Sequence, residues 1–198
     1  MITKENTIVF PAEYTEEEKQ DLQICKAEGH LLDVLRYFRK VIVKDKNNEA
    51  TILDVGCRDD TTRPFFIKQG FNWMGIDIHP NCNSVMKGDM NDLPFAGESI
   101  NFVFCSHALE HTERPMDVLR ELKRVAKLNG YIFLATPAYS EYQLFSCDKE
   151  HVNVPTMWQM RKWAYHLGLE VVHQTYVKNI IFEDRLASLI TLLRVINK

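Results

Sequence analysis

Apolar residues recur along this chain with two different periods, and the change from one to the other falls close to Thr51. Before it, Leu31, Leu32, Val34, Leu35, Phe38 and Val41 follow the spacing of a helix with one buried stripe. Further upstream, Thr15 and Glu18 stand at the spacing of a capping box, and the acidic residues between and after them suit the positive end of a helix. Lys44 to Asn48 is a polar connection. Residues 1–50 are therefore expected to form a helical segment ahead of a sheet.

From Thr51 onward short apolar runs alternate with helical stretches, the pattern of βα units around a mainly parallel sheet. Strands are predicted at Thr51–Val55, Trp73–Asp77, Ile100–Cys105, Tyr131–Ala135 and Leu169–Tyr176. Between them Arg63–Gln69 reads as a short helix, and Pro115–Leu128 as a longer one with Met116, Leu119, Leu122 and Val125 on one stripe. Asn129-Gly130 supplies the left-handed stop that ends such a helix. In the tail, Leu186, Leu189, Ile190 and Leu193 fit a helix, yet Ile190–Ile196 also reads as a last antiparallel strand. Helix is the expectation for the first half of that tail, which packs either on the domain or on a second subunit.

The fold class that follows is α/β: a Rossmann-like three-layer sandwich on a mainly parallel sheet of about six or seven strands, preceded by N-terminal helices. One domain is expected, with a core over residues 51–176 and a C-terminal helix or strand over 177–198. A chain of 198 residues, 45% of them apolar, buries one sizeable core and is tight for two. The net charge of −3 is mild and the basic residues are spread among acids, which provides no footprint for nucleic acid. Five cysteines, scattered and without a CxxC pair, fit free thiols in a reducing compartment better than a disulfide framework or a zinc knuckle. No membrane partner and a cytoplasmic location are expected, because no apolar run reaches spanning length and the N-terminus lacks a signal or transit pattern.

Four stretches carry candidate chemistry. A strand ends in Asp54 and Gly56, then turns through Cys57-Arg58-Asp59-Asp60, where a dinucleotide loop places further glycines. Gly75-Ile76-Asp77 sets a carboxylate about 20 residues after that glycine, the separation at which an acid accepts hydrogen bonds from ribose hydroxyls; an acid that merely caps the next helix is the plainer alternative. Gly88-Asp89-Met90-Asn91-Asp92-Leu93-Pro94-Phe95 is a polar turn leading into apolar residues. Cys105-Ser106-His107-Ala108-Leu109-Glu110-His111 leaves the carboxyl end of a strand, where open α/β sheets place their ligands.

In this order the stretches resemble the class I S-adenosylmethionine-dependent methyltransferases, in particular the small-molecule branch called methyltransferase type 11, from about Thr51 to Val172. ALEHTERPMDVLRELKRVAKLNGYIFLATP looks like the family's fourth-strand exit, following helix and fifth strand, and KEHVNVPTMWQMRKWAYHLGLEVV like its later helix and strand. The resemblance implies S-adenosylmethionine as cofactor, its methionyl part at the first turn, its ribose at the acid after the second strand and its adenine beside the GD-x-x-x-LPF stretch. The positions carried over are Asp54, Gly56, Cys57, Arg58, Asp77, Ile78, Asp89, Met90 and Ser106.

The charged bend weighs against NAD, because a carboxylate at Asp60 adds bulk and repulsion where a pyrophosphate would lie. S-adenosylmethionine carries no phosphate; its ammonium can face Asp54 and its carboxylate Arg58. The alternative is a solvated turn in which Gly56 alone is essential. His107 and His111 stand four apart with Glu110 adjacent, so on a helix they would share one face. No downstream ligand follows at a recognisable spacing, and no metal is assigned. The catalytic candidates are His107, for acceptor orientation or general-base help, and His151, in a Lys149-Glu150-His151 stretch that resembles an EH pair near the family's substrate side. A plain cap before Pro115 is the alternative for Glu110 or His111, and Tyr139, Tyr142 and Phe145 either line an acceptor pocket or pack. The expected function is in-line methyl transfer to a small-molecule acceptor. A non-catalytic scaffold of the same fold and, more weakly, a nicotinamide oxidoreductase are the rivals. No Asp/Asn-Pro-Pro-aromatic loop and no Pro-Cys pair are present, so methylation of nucleobases is not expected.

Overall fold

The computed structural model describes residues 7–9, 16, 20, 30–42, 50–138, 149–178 and 186–197. Its strands are β1 (Thr7–Val9), β2 (Thr51–Val55), β3 (Asn72–Asp77), β4 (Val85–Lys87), β5 (Ile100–Ser106), β6 (Ala126–Pro137), β7 (Leu169–Lys178) and β8 (Leu186–Val195). Its helices are α1 (His30–Ile42), α2 (Arg63–Lys68), α3 (Pro115–Val125) and α4 (Met157–Leu167). The strands form one sheet in the order β1-β7-β8-β6-β5-β2-β3-β4. Every pairing is parallel except those of β8, which runs antiparallel between β6 and β7. The sheet has eight strands where six or seven are expected, because β1 and β4 are three-residue edge strands too short to announce themselves by alternation.

Alternation along β2 explains the layers. Leu53 and Val55 face one core with Val118, Leu119 and Leu122 of α3 and Met160 and Ala164 of α4. Ile52 faces the other with Val34, Leu35 and Phe38 of α1 and Phe65 and Phe66 of α2. Both faces are covered, as a parallel sheet requires. On the second face Phe38 meets Phe65, Phe66, Phe71, Phe104 and Phe133 at steep ring angles, with centroids 5.1 to 6.3 Å away.

Three expectations need correction. Residues 1–50 are not helical throughout, since Thr7–Val9 pairs with β7. Pro115–Leu128 ends as a helix at Val125, while Asn129 takes φ 63° in the turn into the paired part of β6. The first half of the tail is strand rather than helix. Ile190 and Leu192 enter one core while Leu193 and Val195 enter the other, so β8 is apolar on both faces and its run of Leu and Ile imitates a helical stripe. Predicted features at Thr15, Glu18, Lys44 to Asn48, Tyr139, Tyr142 and Phe145 lie outside the described residues.

Candidate functional site

The strand order reverses between β2 and β5, which have β3 and β6 as their outer neighbours. Chain leaving the carboxyl ends of β2 and β5 diverges there and opens a crevice. A cavity of about 990 Å³ occupies this place, with Val55 and Gly56, Ile76 to His79, Gly88 to Asn91, and His107 and Ala108 in its wall.

The bend after β2 is fixed by backbone chemistry. Gly56 has φ 72°, and a Cβ on it would stand 2.4 Å from that of Ala108, so both conformation and space demand glycine. Its amide donates to the Ile76 carbonyl at 2.8 Å, joining the ends of β2 and β3. Arg58 follows with φ 60°, and its amide donates to Asp77 Oδ2 at 2.8 Å. The His79 amide donates to Oδ1 at 2.7 Å. Asp77 is thus oriented from both sides while each oxygen keeps a lone pair for a ligand. Asp59 and Asp60 are turned to local tasks outside the cavity wall. Asp59 accepts from the Thr61 amide at 2.9 Å, and Asp60 accepts from Ser84 Oγ at 2.6 Å, with Arg63 4.0 Å away.

On the opposite side of Asp77, Ile78 is an exposed apolar side chain in the wall. The Gly88 to Phe95 turn lies near it and is stapled to α3. Arg124 donates to the carbonyls of Leu93 and Phe95 and pairs with Glu121, which accepts from the Leu93 amide. Within the turn, hydrogen bonds from the amide and side chain of Asn91 hold the Asp89 carboxyl below the usual range.

Of the residues singled out in the sequence, Gly56, Arg58, Asp77, Ile78, Asp89, Met90 and His107 line the cavity. Asp54, Cys57, Ser106 and His151 stand outside its wall. Asp54 is the clearest correction: it shares the face of β2 that carries Ile52, is buried, and accepts from Thr62 Oγ1 and, at 3.3 Å, from Trp73 Nε1. Burial pushes its acid up to about 7, against the lowering effect of those two hydrogen bonds. There the carboxylate is turned to Thr62 and Trp73 and away from the cavity wall. Cys57 Sγ lies 3.8 Å from the Ile76 carbonyl, and burial pushes its thiol up.

The expected helical face of His107 and His111 does not form either. His107 has φ 52°, and a single short turn begins only at Leu109. His107 Nε2 lies 2.9 Å from Ser188 Oγ, and its Nδ1 lies 3.4 Å from Glu110 Oε1. Both ring nitrogens are therefore engaged. His111 and Glu150, both named from the sequence, also line the cavity, and wall residues that sequence reasoning left aside include His79, Asn81 and Arg114. Asn81 could have been found only through geometry, because its amide donates to the Arg58 carbonyl at 2.7 Å across a turn without a sequence signature.

The family described as a methyltransferase domain matches residues 16–174. The biotin biosynthesis bifunctional protein BioHC of Cellvibrio japonicus is 33% identical over 70 residues, which is 35% of this chain. The match spans only 14% of that relative's length. Among solved structures, a SAM-dependent methyltransferase from Aquifex aeolicus superposes with a TM-score of 0.65 at 18% identity, over 90% of this chain and 98% of its own. A chain from the complex of the Haloferax volcanii Trm112 methyltransferase activator with a methyltransferase gives 0.68 at 17% identity, over 94% of this chain and 100% of its own. Likeness at such low identity is a likeness of fold.

Proposed function

Since the chain belongs to the methyltransferase-domain family, whose model covers residues 16–174, we propose that its cavity takes S-adenosylmethionine and passes the methyl group to a small-molecule acceptor. The observation that carries this reading is the Asp77 carboxylate, held by the amides of Arg58 and His79 at the rim of the crevice with lone pairs to spare for two ribose hydroxyls. Ile78 and Met90 supply the apolar surfaces that an adenine ring needs on its faces. The Gly56 bend, whose missing Cβ makes room for Ala108, sets the exposed Arg58 in the cavity wall, where its guanidinium can take the carboxylate of the amino-acid end. Asp60, which would repel a pyrophosphate, is tied to Ser84 instead of being aimed inward.

When bound, the cofactor supplies a sulfonium already activated for displacement. The chain's contribution is then alignment and exclusion of water. His107 suits a wall that orients the acceptor, because its ring is clamped between Ser188 and Glu110. To act as a base it would have to release Ser188. Incubating the protein with methyl-labelled S-adenosylmethionine and fractionated host extract tests the proposal. Label should enter the fraction that passes a dialysis membrane; label held in macromolecules, or no transfer, counts against a small acceptor.

A further inference from the structure

Beside the cavity, three side chains from two separate segments converge. Glu110 and His111 come from the short turn after β5, and His151 from the stretch before α4. One ligand atom from each lies within 4.8 Å of the others. From Glu110, His111 and His151 we infer a binding site for a divalent transition cation such as Zn²⁺, Co²⁺ or Mn²⁺, bordering the cavity that His111 lines.

Two observations beyond proximity carry it. The Glu110 side chain is fully buried, and neither carboxylate oxygen takes part in a hydrogen bond among the described residues. Desolvating a carboxylate is costly unless it is paired or coordinates a metal. His107 Nδ1 stands 3.4 Å from Oε1, a contact that would orient the carboxylate and leave Oε2 for an ion. The second observation is the anchoring of His111. Its Nδ1 lies 3.2 Å from the Glu150 carbonyl, so an N–H there donates to a backbone oxygen and leaves Nε2 as the lone pair. That is the arrangement by which metal-binding histidines are commonly held. His151 stands edge-on to it, with ring centroids 4.9 Å apart.

Two imidazoles and one carboxylate form a donor set of borderline softness, which favours zinc, cobalt or manganese over magnesium or calcium. Bonds of about 2.1 Å put ligand atoms roughly 3.4 Å apart around a tetrahedral ion, so atoms now within 4.8 Å must close by up to about 1.4 Å. His111 is exposed and His151 half-buried, so side-chain rotation can bring the ring nitrogens closer. Three protein ligands leave a position open. That His111 borders the cavity sets this position toward the acceptor, where an acceptor oxygen can complete the coordination; this last role alone rests on the methyl-transfer reading.

Titrating the purified full chain with Co²⁺ and following the visible ligand-field bands tests the site without reference to activity. One saturating equivalent, displaced by Zn²⁺, is expected for the unaltered protein and for Cys82→Ser, which removes a half-buried thiol outside the proposed ligand set. His111→Ala and His151→Ala should each weaken uptake at least tenfold. Glu110→Gln should do the same. Should that buried substitution unfold the chain, the two histidine variants decide alone. No saturable uptake up to millimolar Co²⁺, or an equivalent kept at full affinity in both histidine variants, overturns the proposal.

Discussion

The amide of Arg58 donates to the carboxylate of Asp77 at 2.8 Å, so the bend after β2 and the acid after β3 are one structural unit. A change of the Asp77 side chain is therefore felt by the bend. The charged bend holds its shape through a side chain of the neighbouring strand.

Gly56 should tolerate no side chain. Gly56→Ala meets a left-handed φ and a Cβ contact of 2.4 Å with Ala108. A loss of about 2–4 kcal/mol in urea unfolding is expected. Adding Ala108→Gly should restore the part due to crowding and leave the conformational part.

Arg58→Ala should leave the melting temperature nearly unchanged, because the structural link runs through the backbone amide, which alanine keeps. If the guanidinium holds the carboxylate of the cofactor, affinity for S-adenosylmethionine falls roughly tenfold or more. Unchanged affinity in calorimetry would mean that the side chain is only solvated.

Asp54 makes stability depend on pH. Its folded acid, at about 7, lies above the value expected for an unfolded chain. The stability it contributes is thus fully present below the unfolded value of about 4 and is lost as pH rises through about 7. Asp54→Asn, compared with the unaltered chain by urea unfolding, should gain roughly 3–5 kcal/mol relative to it between pH 4 and pH 9. A constant difference across that range would show that the acid does not titrate there.

Phe38 sits at the centre of the aromatic core beneath β2 and β5 and is fully buried. Phe38→Ala should cost roughly 3–5 kcal/mol, and Phe38→Leu about 1–2 kcal/mol. Equal losses would indicate that the ring contacts themselves, rather than the volume filled, carry the contribution.

The central strands and α2 could be read from the sequence because each is a short run with one period and clear ends. The tail could not, since β8 is buried on both faces and loses the polar alternation that separates strand from helix. Asp77 was legible through its distance from Gly56, which reflects one βα unit. Asp54 misled because a motif position says nothing of which sheet face it takes; its parity with Ile52 does, and points it at Thr62 and Trp73. The meeting of His111 with His151 was hidden for another reason. The two are joined only by the return of β6 and the chain beyond it, so no local spacing records their contact.

Calorimetric titration of the unaltered chain and Asp77→Ala with S-adenosylmethionine, S-adenosylhomocysteine and NAD tests the central claim most directly. Binding of the first two but not NAD is predicted, weakened roughly hundredfold in Asp77→Ala by loss of two charge-assisted hydrogen bonds. Binding to NAD alone, or undiminished affinity in a folded Asp77→Ala, would contradict it.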